Sequence, residues 1–387
     1  MATATFSIKI DMRTFAGYDP STMFSGGGGA SGTPTEYNIH YNVGFYEVVT
    51  GTGFSNFGLG SFPADGTVTG WELGIREILR DPGDPYHPII QDTRYWIFSG
   101  LSVPADDIAT AVNTDAASLA AYMPTMLVGN DTINGSAFPD YLLGYDGADR
   151  IFGNAGNDGL DGGDGADTLY GGLGNDTMLG GLGNDTYVVD SSLDKAIEDV
   201  DSGNDLVKSS VSFILGVNVE KLTLTGASAI NGTGNSLANI LTGNSAANTL
   251  KGGGGDDTLR GGGGDDRLAG GNGNDTLDGA AGLDQFLFDT ALNGSTNHDR
   301  ILNFSVADDT ITLDNDIFTD LGAPGALDSA AFFTGSAAQN PEDRIIYNSA
   351  TGNIYYDADG NGAGDQVLFA HVAAGTALTS ADFLIVD

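Results

Sequence analysis

Cysteine is absent from this 387-residue chain, so no disulfide can staple it and no thiolate can hold a metal. Cationic residues are scarce: 14 Lys and Arg stand against 52 Asp and Glu, a formal charge of −38. That balance excludes nucleic acid as a partner, because binding it requires cations to neutralise phosphates. Repulsion at this density also opposes compaction. Histidine occurs only at His40, His87, His298 and His371, too widely spaced for a zinc or catalytic cluster, and each reads as an ordinary surface or core side chain. Trp71 and Trp96, the two tryptophans, read as core. No apolar run approaches the ~18 residues of a membrane-spanning helix.

What the chain has is glycine, 60 residues of it, and a period. Asp131, Asp140, Asp149, Asp158, Asp167, Asp176 and Asp185 fall nine residues apart, each followed two residues later by Ile133, Leu142, Ile151, Leu160, Leu169, Met178 or Tyr187. A second array spans residues 234 to 287. There Asn239, Asn248, Asp257, Asp266, Asp275 and Asp284 hold the acidic position, and Leu241, Leu250, Leu259, Leu268, Leu277 and Phe286 the apolar one. One apolar side chain in nine makes a single buried row, so each unit must stack on its neighbours, which is the logic of a solenoid. Glycine serves turns of positive φ and close backbone approach. The turns then gather carboxylates and glycine carbonyls, an oxygen-only donor set suited to a hard cation of calcium's size. A Gly-rich linker would not hold register over so many units, and no Gly-Lys-Ser/Thr follows the glycines to make a phosphate loop.

The pattern Gly-Gly-x-Gly-x-Asp-x-apolar-x, cleanest in residues 171–178 and 180–187, resembles the RTX (repeats-in-toxin, haemolysin-type) calcium-binding proteins. The resemblance implies a parallel β-roll, half a turn per nonapeptide, with calcium between turns two repeats apart. Asp149 would then share an ion with the turn of Asp167, Asp158 with that of Asp176, Asp257 with that of Asp275, and Asp266 with that of Asp284. The same resemblance makes Asp140 and Asp185 ligands. It also assigns carbonyl ligands to Gly153, Gly156, Gly162, Gly165, Gly171, Gly174, Gly180 and Gly183 in the first array. In the second they are Gly252, Gly255, Gly261, Gly264, Gly270 and Gly273. Asp131, Asn239 and Asn248 are further metal candidates. The repeats around Asp131 and Asp140 lack most glycines, and Asn brings no charge, so these ends read as caps that bind weakly or not at all.

Outside the arrays, residues 1–127 read as a small α+β cap. Strands are expected at 4–10, 37–43, 45–49, 68–75 and 94–98, and helix at 106–112 and 116–122. Tyr37, His40 and Tyr41 are an ordinary alternating strand rather than a haem site, and nothing fixes the separation of Glu72 and Glu77 as an acid–base pair. There is no His-Glu-x-x-His and no Gly-x-Ser-x-Gly, against the protease and lipase branches of the family. Residues 191–233 carry strand-like runs at 206–215 and 219–225 that continue the solenoid, with Lys208 and Lys221 read as solvent-facing charges. The segment 288–387 reads as a β-rich C-terminal domain with strands at 299–304 and 309–314 and a hairpin of 344–348 with 353–357. Asp357, Asp359 and Asn361 occupy positions 1, 3 and 5 of an EF-hand-like loop, but its twelfth position is Leu368, where a bidentate Glu is needed. A tight Asx turn is the alternative.

The N-terminus lacks the charged head and apolar core of a cleaved signal peptide. Residues 378–387 resemble an uncleaved C-terminal signal for type I secretion, or a closing β-strand. The expected plan is a mainly β chain: cap 1–127, β-roll 128–190, connecting strands 191–233, β-roll 234–287 and C-terminal domain 288–387. The expected function is calcium binding, several ions, coupled to folding and export. Type I apparatus and an unidentified surface or matrix partner are the implied contacts, and the expected location is extracellular or cell-surface. A non-enzymatic role leads. An enzyme with its site outside the repeats is the alternative, and a membrane-active toxin a further one.

Overall fold

The structure is a computed structural model that describes residues 129–387 in full and, before them, the backbone of four strands. These are β1 (Glu36–His40), β2 (Phe45–Thr52), β3 (Thr67–Leu79) and β4 (Ile89–Pro104), an antiparallel meander in chain order. The strand expected at 4–10, the helices at 106–112 and 116–122, and the side chains of Tyr37, His40, Tyr41, Trp71, Glu72, Glu77, His87 and Trp96 lie outside the described residues. The chain divides into two units, Met1–Gly203 and Asn204–Asp387.

In the first unit the nine-residue period becomes two parallel sheets. One takes β5 (Thr132–Asn134), β7 (Arg150–Phe152), β9 (Thr168–Tyr170) and β11 (Thr186–Val189). The other takes β6 (Tyr141–Asp146), β8 (Gly159–Asp164), β10 (Thr177–Leu182) and β12 (Lys195–Ile197). One turn thus consumes two repeats, one strand per sheet. Strand alternation sends the apolar residue inward and its two neighbours outward. Ile133, Ile151, Leu169 and Tyr187 stack as one buried row, and Leu142, Leu160, Met178 and Ala196 as the other. β4 pairs antiparallel with β5 through Phe98–Ile133 and Ser99–Thr132.

The second unit repeats the scheme. Its first sheet is β13 (Leu206–Ser209), β15 (Lys221–Leu224), β17 (Ile240–Thr242), β19 (Thr258–Gly263), β21 (Thr276–Ala281) and β23 (Asp299–Leu302), all parallel. Its second is β14 (Phe213–Ile214), β16 (Gly232–Thr233), β18 (Thr249–Gly254), β20 (Arg267–Asn272), β22 (Gln285–Phe288) and β24 (Thr310–Asp314). The run at 206–215 is therefore two strands, not one. Ser209 breaks it, its hydroxyl donating to the Val211 carbonyl (2.8 Å) and accepting from the Val211 amide (3.2 Å).

After the repeats the chain stays within this unit's sheets. β25 (Gly325–Ala326) is a two-residue strand, and β26 (Phe332–Thr334) runs parallel to β27 (Ile345–Asn348), which forms the expected antiparallel hairpin with β28 (Asn353–Tyr356). β29 (Val367–His371) pairs with β28 and also runs parallel to β23, while β30 (Phe383–Val386) runs parallel to β24. The roll buries two apolar rows, one per sheet, where the sequence reading expects one, and a thicker core forms here because aromatics replace those rows. Phe369 packs edge-on against both Phe288 and Phe318, with ring centroids 5.1 Å apart in each pair. The described residues are mainly β, with only short 3-10 turns at Ser329–Ala331 and Ser380–Asp382. No described helix is long and apolar enough to cross a membrane.

Candidate metal centre

From Asp149 onward each repeat aspartate sits at the corner before its strand and is buried. Its carboxylate binds backward to the turn two repeats earlier. The Asp149 amide donates to Asp167 Oδ1 (2.7 Å), that of Asp158 to Asp176 Oδ1 (2.8 Å), that of Asp257 to Asp275 Oδ1 (2.7 Å) and that of Asp266 to Asp284 Oδ1 (2.9 Å). The structure therefore brings together the four pairs that the resemblance names. The eighteen-residue step follows from two nine-residue half-turns stacking in register.

The other carboxylate oxygen has no such use. Among the described residues, Oδ2 of Asp149, Asp158, Asp167, Asp176, Asp257, Asp266, Asp275 and Asp284 is buried without a hydrogen-bond partner. An orphaned buried oxygen is costly unless something else satisfies it. What lies beside it is a cradle floored by glycine. A methyl group built on Gly162 would collide with Asp167 Oδ2 and with the Gly180 carbonyl oxygen, and one on Gly252 with Asp257 Oδ2 and the Gly270 carbonyl. Gly153 shows the same pattern with Asp158 Oδ2 and the Gly171 carbonyl. Carboxylate and carbonyl oxygens thus converge on a space that only glycine leaves open. The donor chemistry fits calcium.

Electrostatics agree. Burial raises the carboxyls of Asp149, Asp158, Asp257 and Asp266 to about 7, and neighbouring carboxylates add to the rise, while the donated backbone amide opposes it. Asp176 is raised to about 6 for the same reasons. Without a counter-cation these sites hold their protons to higher pH than a free carboxyl does, and a bound divalent ion would oppose that rise.

The ends of the arrays are closed differently. Asp140 Oδ2 accepts the Ser136 amide (2.5 Å), so that oxygen is already engaged. Asn239 Oδ1 accepts the Asn235 amide (2.7 Å), and its Nδ2 donates to the Val219 and Glu220 carbonyls (3.1 and 3.2 Å). Asn248 does the same with the Asn244 amide (2.8 Å) and the Ile230 carbonyl (2.6 Å). An amide can bridge two turns by itself, and no cation is needed there. Asp131, half-exposed at the start of the first array, takes Asp149 Oδ1 through its amide (2.7 Å).

Three ladder members escape the sequence reading. Asp194 accepts the Asp176 amide (2.9 Å), Asp299 that of Asp275 (3.1 Å) and Asp309 that of Asp284 (3.1 Å). Asp194 keeps the nine-residue step after Asp185, with Ala196 two residues on, but lacks the glycines that draw the eye. Asp299 and Asp309 fall 24 and 25 residues after their partners, and only the local Asp-x-Ile pattern marks them. Ser191 and Ser305 amides close Asp194 Oδ2 (3.1 Å) and Asp309 Oδ2 (2.8 Å) as Ser136 closes Asp140. Buried Asp299 is pushed up to about 8 by desolvation and by Asp275 beside it. In the EF-hand-like loop two carboxylate oxygens accept amides of the loop itself. Asp357 Oδ1 accepts the Asp359 amide (3.3 Å), Asp359 Oδ2 the Gly364 amide (3.0 Å), and Asn361 Nδ2 donates to the Gln339 carbonyl (3.0 Å).

Four copies of the RTX calcium-binding nonapeptide repeat match the chain, over residues 128–160, 160–187, 233–268 and 252–286. The chain thus carries RTX calcium-binding repeats over residues 128–187 and 233–286. RTX nonapeptide repeats bind Ca²⁺, and the stacked buried aspartates of this chain are consistent with such sites. Among solved structures, the AlgE6R3 subunit of the Azotobacter vinelandii mannuronan C5-epimerase is 26% identical, over 38% of this chain and 78% of that one, with a TM-score of 0.26. The extracellular lipase LipA of Serratia marcescens is 16% identical over 67% of this chain but only 38% of its own length, with a TM-score of 0.23. Neither likeness is close enough to carry an activity across. No curated protein matches.

Proposed function

We propose that this chain is a secreted calcium-binding protein whose rolls fold on meeting extracellular calcium, and that it serves in surface, matrix or host contact rather than catalysis. The observation that carries the reading is the set of buried, unpartnered Oδ2 atoms facing glycine-floored cradles. The ligands are the carboxylates of the interior aspartates, with glycine carbonyls of the adjacent turns. The closed ends at Asp140, Asn239 and Asn248 are caps.

Calcium-poor cytosol would leave the arrays extended, fit to thread an export channel, with the C-terminus read by a type I apparatus. Outside, each site contributes RT ln(1 + [Ca]/Kd), ~1.4 kcal/mol at tenfold excess, and the contributions add as the turns stack. Circular dichroism of the full chain in chelator and in millimolar calcium tests this. A gain of β signal is expected on calcium addition, and a chelated protein already fully β would overturn it.

A further inference from the structure

In the second unit the cations are gathered rather than scattered. Lys208, Lys221, Arg260 and Arg300 all project from the outer face of the sheet β13–β15–β17–β19–β21–β23, because the neighbouring Val207, Leu222, Leu259 and Ile301 point inward and are buried. Register places Lys221 four strands from Arg300, and Lys208 three strands from Arg260. At the usual spacing of paired strands these spans are about 19 and 14 Å. The strands present one carboxylate to that face, Asp278, and Asn303 Nδ2 already donates to both its oxygens (3.1 and 3.2 Å). Among the described residues none of the four cations is in an ion pair, in a chain where acids outnumber bases 52 to 14. The opposite sheet offers only Lys251 and Arg267 in its repeat strands.

Two cationic rows about 14 and 19 Å long, laid across the strands, match a linear polyanion rather than a small anion. The face bears no aromatic ring on which a base could stack, which sets it apart from single-strand nucleic-acid platforms. Threonines such as Thr242 and Thr258 lie between the cations and supply hydroxyls for hydrogen bonds to sugars. We propose that this face binds a linear carboxylated polysaccharide, with its carboxylates on Lys208, Lys221, Arg260 and Arg300. The inference rests on the matrix-contact reading and names the partner for it.

The test uses the full chain in calcium, with hyaluronate oligosaccharide as probe, neutral dextran as blank, and a DNA oligonucleotide as competitor class. Isothermal titration at low salt should show hyaluronate binding that weakens about tenfold when Lys208, Lys221, Arg260 and Arg300 are all changed to Gln, four exposed ion pairs of modest strength each. The Lys251→Gln, Arg267→Gln double variant on the opposite sheet should bind like the parent. Circular dichroism in calcium confirms that each variant folds, as expected for outward positions. The proposal is overturned if the parent folds in calcium yet does not bind hyaluronate, if both variants weaken equally, or if DNA binds more tightly than hyaluronate. A parent that folds without calcium would instead count against the calcium reading alone.

Discussion

In the proposed reading, Gly162 and Asp167 together decide whether an ion can sit in their turn. Gly162 has no positive φ to defend, so its replacement reads out the cradle and not backbone strain. Gly162→Ala should remove one site: calorimetric stoichiometry drops by one, and stabilisation by tenfold-excess calcium falls by ~1.4 kcal/mol. Ala280 poses the opposite case. It holds φ 68°, in the left-handed region that a side chain resists at ~1–2 kcal/mol. Most repeats place glycine at the equivalent point, as at Gly262 and Gly271. Ala280→Gly should therefore stabilise the calcium-loaded protein by ~1 kcal/mol in urea titrations, the gain being reduced by glycine's extra freedom when unfolded. Asn239→Asp looks like a repaired repeat, but it turns an amide donor into a carboxylate facing two carbonyls. It should destabilise the protein by ~1–3 kcal/mol without adding an ion, checked by the same two measurements.

At the scale of the rolls, the carboxyl ladder couples stability to pH. In the folded, ion-free roll the interior carboxyls are raised from 3.8 to about 7, so the folded state keeps protons that the unfolded chain has released. That contribution is fully present below pH ~4 and is lost as pH climbs towards 7. Calcium needs the deprotonated carboxylate, so its affinity rises over the same window. Chelated protein should therefore carry more β signal at pH 5 than at pH 8, and calcium-loaded protein should melt higher at pH 8. Circular dichroism would refute this if the chelated sample carried more β signal at pH 8. The strands themselves were legible from the nine-residue step, since alternation and period together leave one inward residue per strand. The break at Ser209 was not, because a β-branched run reads as one strand until a corner must be turned to keep the two sheets apart.

For the whole molecule, the charge of −38 and the thin core point the same way. Without cations a polyanion with one buried side chain per repeat lacks the burial to offset the ordering of sixty glycines. Small-angle scattering should find the chelated chain expanded towards the ~70 Å radius of gyration of an unfolded chain of this length, and calcium should contract it sharply. An unchanged radius would mean that the core suffices. The spread of acids into turns and bases onto sheet faces, invisible in the overall count, becomes plain only when the turns stack.

The amino-acid order by itself determined the period, the stacking of units into a solenoid and the oxygen-only chemistry, because these depend on neighbours at a constant step along the chain; the parallel roll was implied by the resemblance its motif carries. Tertiary structure alone decided which oxygens stay open. Asp140, Asn239 and Asn248 look like members of the ladder in sequence, yet local serine and asparagine groups satisfy them. It also decided that Asp299 and Asp309 rejoin the ladder after insertions of irregular length, and that four distant cations share one face. Contacts of this kind depend on distance in space, and once a loop breaks the step, separation along the chain no longer reports it.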